Sequence, residues 1–368
     1  MNKIKVGIVG CGNISDIYLT NCRAYEELEV VRLADLDLER AAAKAAQYGI
    51  PESGTLAELL ADERIEIVLN LTIPAVHAEV SLAALEAGKH VYSEKPLAIA
   101  IEDGRTILEL AASKGLRVGV APDTVLGGGI QTCRKLIDEG AIGKPVAAAA
   151  FMMTGGPERW HPNPGFLYES GAGPMFDMGP YYLSAFITLL GPIRRVTGSA
   201  VISYPERLIT SQPLYGQKIR VQTPTHINGV LDFAGGATAM LITSFDVKGG
   251  TSLPSIEIYG SEGTMLVPDP NTFGGPVKLR KPGPDQEWQE VPLTHGHSDN
   301  SRGLGLLDMA RALSDGTPHR ATGEVALQAL EAMHGFHIAS REERHYSIES
   351  QCERPSPMPA LPQEEGCT

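Results

Sequence analysis

The sequence lacks the features that mark membrane proteins, nucleic-acid-binding proteins and metalloproteins. No apolar run approaches the roughly 20 residues that span a bilayer. The 368-residue chain has no basic block and a formal net charge of −13, so nucleic acid and anionic membranes are poor partners. The five cysteines are scattered and include no CxxC pair, which argues against zinc and for reduced thiols. We therefore expect a cytoplasmic protein without metal, nucleic-acid or membrane partners.

Short apolar runs and amphipathic runs alternate through the first third of the chain. The β-type runs begin at Ile4, Val30, Ile65, His90 and Leu116. They are separated by helical runs of roughly 10–15 residues, which predicts right-handed βαβ crossovers and a parallel sheet with helices on both faces.

From Val146 onward, β-type segments dominate and are joined by glycine-rich turns. Consecutive strands of this kind predict an open, predominantly antiparallel sheet. Further helices are predicted near Met175–Leu190, Leu304–Leu313 and Gly323–Arg341. The predicted fold class is α/β, and the predicted domains are residues 1–124, 125–345 and a C-terminal strand or tail at 346–368.

A glycine turn follows the first predicted strand and opens a helix. It reads GCGNIS, a variant of the GxGxxG fingerprint with serine in the third glycine place. Glycines there permit a tight turn and leave the backbone open to a pyrophosphate, which the helix N-terminus attracts. The residues predicted to bind the cofactor here are Gly10, Gly12, Asn13 and Ile14.

Asp35 stands at the end of the second predicted strand. A carboxylate in that place accepts hydrogen bonds from the adenosine ribose and repels the 2′-phosphate of NADP. The next residue is Leu36, which cannot neutralise a phosphate. We predict NAD as the cofactor and expect Arg40, five residues on, to face solvent.

Lys95 lies between Glu94 and Pro96 where the fourth main strand should end. Proline closes the strand and fixes the corner, and a cis Lys95–Pro96 bond is expected. A lysine held on such a corner can hydrogen-bond a reacting oxygen. Its reference pKa of about 10.4 must fall for it to act as a base near neutral pH, as burial and a neighbouring positive charge would achieve.

Several motifs together resemble the Gfo/Idh/MocA oxidoreductase family. They read GCGNIS, ADLDLERA, LTIPAVHAEVSLAALEAGKHVYSEKPLA and GPMFDMGPYYL. The resemblance runs from about Lys3 to Arg341 and implies a Rossmann domain, then an α/β domain whose open sheet often builds a homodimer or homotetramer. It implies that the EKP segment lies beneath the nicotinamide. The residues that it places beside the cofactor are Thr72, Pro74, His77, Glu94 and Lys95.

The GPMFDMGPYYL motif supplies a second group of candidate catalytic residues. Asp177 and Tyr181 are four apart, so they project from one helical face. The family has histidine where this chain has Tyr181. Either Lys95 or Tyr181 could carry the substrate proton, with Asp177 holding substrate hydroxyls. The residues predicted to bind substrate are Lys95, Asp123, Trp160, His161, Asp177 and Tyr181.

The predicted function is NAD-dependent oxidation of a CH–OH group in a sugar or cyclitol-type polyol, or the reverse reduction. Two alternatives are a redox-neutral sugar-modifying enzyme that keeps NAD bound, and a catalytically silent NAD-sensing regulator. Lys95, Asp177 and the hydroxyl of Tyr181 argue against a silent protein.

Overall fold

The computed structural model describes residues 3–362, which contain long helices and two large sheets. The helices are α1 (Ser15–Ala24), α2 (Leu38–Tyr48), α3 (Leu56–Ala61), α4 (His77–Glu86), α5 (Ile101–Lys114), α6 (Gly128–Asp138), α7 (Pro174–Leu190), α8 (Leu304–Asp315) and α9 (Gly323–Glu342). Short 3-10 turns lie at Pro74–Val76, Asp123–Leu126, Pro157–Arg159 and Gly165–Tyr168.

The strands fall into an early group and a late group along the chain. The early strands are β1 (Ile4–Val9), β2 (Leu28–Ala34), β3 (Glu52–Gly54), β4 (Ile67–Asn70), β5 (His90–Ser93) and β6 (Val118–Val120). The late strands are β7 (Pro145–Met153), β8 (Ile193–Val201), β9 (Glu206–Leu208), β10 (Lys218–Arg220), β11 (His226–Phe233), β12 (Thr238–Ser244), β13 (Ile256–Gly260), β14 (Gly263–Val267), β15 (Val277–Arg280), β16 (Gln289–Val291) and β17 (Tyr346–Ser347).

The first compact unit comprises residues 3–126 together with Asn300–Leu330. Its six strands are all parallel in the order β3-β2-β1-β4-β5-β6. All four residues of β4 are buried, as expected of a parallel strand covered on both faces. The predicted Rossmann-type parallel sheet is confirmed.

The second compact unit comprises Gly127–Asp299 together with residues 331–362. Its main sheet has the order β16-β15-β14-β13-β7-β12-β11-β8-β17. Only the β12–β7 pairing in this sheet is parallel, so the predicted predominantly antiparallel sheet is confirmed. Helix α6 packs against β14 and β15, and helix α7 packs against β7, β11 and β12.

The path of the chain through the units differs from the predicted division at 124/125 and 345/346. Residues 300–330 return to the first unit, and the passage to the second unit falls inside α9. The carboxylate of Asp123 receives this returning segment, because its Oδ2 accepts the N–H groups of Gly303 at 2.8 Å and Gly305 at 3.1 Å. A linear division could not anticipate a contact between residues 180 positions apart.

The C-terminal segment is pinned to the second unit up to the end of the described residues. The buried carboxylate of Glu331 accepts the N–H groups of Glu349 and Ser350, each at 2.8 Å. The guanidinium of Arg354 donates to the carbonyl oxygen of Thr188 at 2.9 Å. Of the predicted tail at 346–368, residues 363–368 lie outside the described residues. No helix between residues 3 and 362 has both the length and the hydropathy needed to cross a membrane.

Candidate active site

The turn after β1 is built around two glycines with different tasks. Gly10 has φ 97°, and a Cβ there would lie 2.6 Å from the carbonyl oxygen of Leu71, so the position needs glycine. Above Gly12 the space is open, since a Cβ there would meet no described heavy atom within 4 Å. Ser15 begins α1 and donates its hydroxyl to the carbonyl oxygen of Gly12 at 2.7 Å. The apolar N-cap residue Ile14 offers no capping oxygen, so this helix end fits the pyrophosphate of a dinucleotide.

Asp35 follows β2, and four donors surround its carboxylate. Oδ2 accepts the N–H of Cys11 at 2.7 Å, and Oδ1 accepts the N–H of Asp37 at 2.9 Å. Arg40 donates through Nε to Oδ2 at 3.2 Å and through Nη2 to Oδ1 at 2.6 Å. Partial burial opposes ionisation of Asp35, but these bonds outweigh it and hold the pKa below its usual value.

Arg40 was expected to face solvent, but the structure shows it bound to Asp35. Its side chain is 49% exposed, yet its guanidinium grips both oxygens of Asp35. A carboxylate offers about four lone-pair sites, and the Asp35 carboxylate has four donors. The ribose of a dinucleotide can therefore bond Asp35 only if it replaces one of these donors, and Arg40 supplies two of the four through its side chain.

Asn70 and His77 hold the segment that contains Thr72 and Pro74. The Oδ1 of buried Asn70 accepts the hydroxyl of Thr72 at 2.6 Å and the N–H of Thr72 at 3.2 Å. The Nδ1 of His77 lies 2.7 Å from the carbonyl oxygen of Pro96, and Nε2 lies 2.9 Å from that of Thr72. Burial lowers the pKa of His77 although both carbonyl contacts favour its protonated form. His77 is fully buried, and its two ring contacts connect the segment at Thr72 with the segment at Pro96.

Glu94 and Lys95 follow β5, and the Lys95–Pro96 peptide bond is cis as predicted. The carboxylate of Glu94 accepts the hydroxyl of Tyr18 at 2.6 Å through Oε1 and the backbone N–H of Lys95 at 3.1 Å through Oε2. Burial and the nearby Glu94 carboxylate raise the pKa of Tyr18 well above its usual value, so Tyr18 stays a neutral donor. Lys95 is half-buried. The residue before it, Glu94, is held in place by Tyr18 of α1.

Asp123 was predicted to contact substrate, and the structure gives it another contact set. It is 1% exposed, and its Oδ2 is the acceptor that holds the start of α8. Burial raises its pKa to about 6. The observed bonds describe a structural residue, and the substrate contact stays a prediction.

In the second unit, the glycine-rich turn before α7 positions Asp177 and Tyr181. Gly173 has φ 92°, and a Cβ there would lie 2.8 Å from the carbonyl oxygen of Pro224. Its carbonyl oxygen accepts the N–H of Asp177 at 3.0 Å. Asp177 is half-buried in the first turn of α7, and Tyr181 is 7% exposed one turn later. The predicted common helical face of these two residues is therefore present.

Trp160 and His161 lie on a loop of the same unit between the 3-10 turns Pro157–Arg159 and Gly165–Tyr168. Trp160 is 71% exposed and stands edge-on to His161, with ring centroids 5.4 Å apart. The exposed position is compatible with the predicted substrate contact.

Two other features of the described residues stand apart from these candidates. A cavity of about 370 Å³ in the first unit is lined by α5 and by the segment leading into α9, including Arg117, His319 and Glu324. The predicted site residues lie outside its lining. No group of three or more His, Cys, Asp or Glu residues within 3–362 could hold a metal ion.

Two family models match this chain in sequence order. Residues 4–121 match the model described as an oxidoreductase family with an NAD-binding Rossmann fold, and residues 130–266 match the GFO/IDH/MocA C-terminal domain. Together they span more than half of the chain. The chain belongs to the Gfo/Idh/MocA oxidoreductase family. The predicted family and the NAD-binding Rossmann domain are thereby confirmed.

Curated members of the Gfo/Idh/MocA family align with part of the chain. A 1,5-anhydro-D-fructose reductase of Ensifer adhaerens is 35% identical over 146 residues, which are 39% of this chain and 44% of that protein. Inositol 2-dehydrogenase 3 of Saccharopolyspora erythraea is 34% identical over 147 residues, with the same two shares. The chain therefore matches less than half the length of these relatives.

A solved family structure, levoglucosan dehydrogenase in complex with NADH, resembles the whole fold. The TM-score is 0.83 at 19% sequence identity, over 95% of this chain and 100% of that one. At this identity the likeness establishes the α/β fold, with its parallel and mostly antiparallel sheets.

Sequence reasoning missed three contacts near the predicted cofactor-binding residues. They are those of Asn70 with Thr72, of Tyr18 with Glu94 and of Arg40 with Asp35. A signal existed for Asn70, which is a polar residue inside the apolar run IEIVLNLT. Tyr18 follows Ser15 by one helical turn, but nothing local announces that its partner is Glu94.

Proposed function

We propose that this protein is an NAD-dependent oxidoreductase that oxidises a CH–OH group of a sugar or cyclitol-type polyol, or catalyses the reverse reduction. The observation that carries the proposal is the arrangement of three features in the first unit. They are the open glycine turn after β1, Asp35 after β2, and Lys95 on its fixed corner after β5. Family membership and the names of the partial relatives support the substrate class.

The residues of the first unit fit a dinucleotide. The open space at Gly12 and the N-terminus of α1, which no side chain caps, suit its pyrophosphate. Asp35 suits the adenosine ribose, and the segments with Thr72, Pro74 and Glu94 are candidates for its nicotinamide half. When bound, NAD supplies the acceptor for the hydride that leaves the carbinol carbon. We propose that the chain prefers NAD to NADP because of the Asp35 carboxylate.

The chain itself must take the hydroxyl proton. Lys95 is our first candidate, because its corner is fixed by the Tyr18–Glu94 bond and by His77 beneath Pro96. Tyr181 is the second candidate, since its phenol can also exchange a proton. Asp177, one helical turn before Tyr181, can accept hydrogen bonds from substrate hydroxyls.

We further propose a homo-oligomer that forms through the sheet of the second unit. The strand pairing puts Val230 opposite Met240, and both side chains lie on the face opposite the fully buried Leu231 and Leu241. Val230 is 44% exposed. Cover by a second copy would remove this apolar surface from water. The free thiols of Cys11, Cys22 and Cys133 support a cytoplasmic location.

Sedimentation at micromolar concentration tests the assembly. A dimer or tetramer is expected for the wild type, and a Val230→Glu, Met240→Glu double variant should shift it toward monomer. A monomeric wild type would refute the proposed assembly.

Substrate oxidation is tested by mixing the protein and NAD with a panel of sugars and inositols while NADH absorbance is followed. The expected result is NADH formation with at least one member of the panel. Product analysis is done on the same samples. A changed sugar without net NADH would contradict the proposal in favour of a redox-neutral reaction, and NAD binding without any product would favour a silent sensor.

A further inference from the structure

The loop between Pro157 and Tyr168 carries three aromatic rings on its outer side. Trp160 is 71% exposed, and Phe166 is 49% exposed. His161 lies between them, with ring centroids 5.4 Å from Trp160 and 5.5 Å from Phe166, each pair inclined at 68°. We call Trp160, His161 and Phe166 the aromatic row. Large aromatic side chains exposed together on one loop mark a contact surface.

A buried charge cluster fixes the inner side of this loop. Arg207 of β9 and Glu158 of the loop are 4% and 6% exposed. The Nε of Arg207 lies 3.0 Å from Oε1 of Glu158, and Nη1 lies 2.9 Å from Oδ1 of Asp246. Tyr168, at the far end of the loop, donates its hydroxyl to Glu158. The cluster therefore connects the beginning of the loop, the end of the loop and Asp246, which lies two residues after β12.

Backbone bonds hold the loop on both sides of Trp160. The carbonyl oxygen of Glu158 accepts the N–H groups of Thr210 at 2.9 Å and Ser211 at 3.1 Å. The hydroxyl of Ser211 donates to the carbonyl oxygen of His161 at 2.6 Å. A loop anchored in this way lowers the cost of ordering its backbone when a ligand binds.

The chemistry of the row suits the ring of a sugar or cyclitol. An aromatic face carries partial negative charge and attracts the weakly positive C–H groups on one face of such a ring. The Nδ1 of His161 accepts the N–H of Asn163 at 3.0 Å. A neutral His161 therefore carries its proton on Nε2 and can donate it to a hydroxyl oxygen. The loop continues directly to α7, since the N–H of Gly173 bonds the carbonyl oxygen of Leu167 at 3.0 Å.

We propose that the aromatic row binds the ring of a cyclic polyol or sugar, with Phe166 as a contact residue beside Trp160 and His161. We assign Arg207 as a positioning residue that holds the row. The substrate class rests on the proposed function, whereas the row as a binding surface rests on its own geometry.

Trp160 provides a direct reporter of binding. The chain has two tryptophans, so a Trp288→Phe background leaves Trp160 as the only one. This full-length protein is titrated with myo-inositol, D-glucose and the rest of the sugar panel, with NADH formation followed in parallel samples. We expect a saturable change in Trp160 fluorescence. Phe166→Ala should weaken that binding roughly tenfold, and Tyr215→Ala should leave it unchanged, because Tyr215 is a 65% exposed aromatic residue elsewhere in the same unit.

Arg207→Lys tests the positioning role, because lysine keeps the charge but cannot span both carboxylates. We expect the polyol Kd and KM to rise several-fold while kcat stays within about twofold. An unchanged Kd and KM would overturn the assignment of Arg207.

The outcomes separate the row from the proposed function. A saturable Trp160 signal that Phe166→Ala weakens, without NADH formation, would support the row and contradict the function. NADH formation with an unaffected KM in Phe166→Ala would overturn the row and leave the function standing. The absence of any saturable Trp160 signal across the panel would overturn the row as well.

Discussion

Arg40 and Arg207 both bind carboxylates, but they do so in opposite surroundings. The Arg40 side chain is 49% exposed where it meets Asp35 in the first unit. The Arg207 side chain is 3% exposed where it meets Glu158 and Asp246 in the second. Water can replace the partner of an exposed charge, whereas a buried charge that loses its partner remains uncompensated in a poorly polarisable interior. The first pair can therefore open for a ligand, and the second acts as a fixed support.

An exposed ion pair and a buried ion pair can thus serve a binding surface in two different ways. The proposed recognition of a ribose at Asp35 requires a carboxylate that can exchange its hydrogen-bond donors. The proposed role of the aromatic row requires a fixed support. Arginine suits both proposed roles, because the burial of the ion pair decides whether its partners can be exchanged.

The largest expected difference between the two ion pairs is the loss of folding stability when each arginine is removed. Arg207→Met should lower the free energy of unfolding by about 3–5 kcal/mol, the usual effect of leaving buried carboxylates without their cation. Arg40→Gln should change it little, because Asp35 keeps its two backbone donors. Chemical denaturation of both variants measures the difference.

A matched variant sharpens this result. Adding Glu158→Gln and Asp246→Asn to Arg207→Met should recover part of the lost stability, since neutral side chains no longer need the cation. Equal losses for Arg40→Gln and Arg207→Met would contradict the comparison.

Acid should destabilise the fold more through a half-buried histidine than through an exposed one. Burial, then the neighbouring His334 and Arg341, lower the pKa of His337 from 6.5 to about 4. The unfolded chain then binds more protons at His337 than the folded chain between these values, so stability falls as the pH drops from 6.5 to 4. His337→Gln should reduce that loss by up to about 3 kcal/mol.

The control for this pH effect is His345→Gln, because His345 is exposed. Free energies of unfolding of both variants and the wild type are compared at pH 7 and pH 4. If His337→Gln and His345→Gln follow the wild-type pH slope equally, the partly buried environment of His337 does not contribute to acid sensitivity.

Substitutions at Asp35 and at Arg40 should change the preference for NAD over NADP in opposite directions. Asp35→Ser should narrow the preference for NAD over NADP by roughly tenfold, because it removes a charged acceptor of the ribose. Arg40→Gln should widen the preference roughly 3- to 10-fold, because it frees acceptor sites on Asp35 and removes a cation that favours a 2′-phosphate. Calorimetric titration with both dinucleotides measures the ratio. A shift of both variants in the same direction would refute competition between Arg40 and the ribose.

Local sequence signals predicted most of the local structure around the candidate cofactor residues. The strand–glycine–helix order near Gly10, the carboxylate of Asp35 and the EKP corner each depend on a few consecutive residues. Helix α3 also had a readable signal, a capping box between Thr55 and Glu58, but it was not predicted. Strand β3 could not be predicted, because its three residues, Glu-Ser-Gly, are poor strand formers.

Long-range contacts set the features that the sequence left open. The return of residues 300–330 depends on the buried Asp123 carboxylate, and the corner at Lys95 depends on Tyr18, 76 positions before Glu94. The contact of Arg40 with Asp35 depends on a side-chain rotamer. None of these contacts leaves a periodic or compositional trace, so only the folded arrangement reveals them.

Lys95 is our proposed proton carrier for an NAD-dependent oxidation. The most direct test measures NAD affinity and turnover together in Lys95→Ala, with Lys114→Ala as a control lysine of the same unit and Tyr181→Phe as the alternative proton carrier. We predict that Lys95→Ala keeps NAD affinity nearly intact and loses about 10²-fold or more in turnover, the usual effect of losing a general acid–base group. Near-normal turnover in Lys95→Ala, with turnover abolished in Tyr181→Phe, would contradict this assignment.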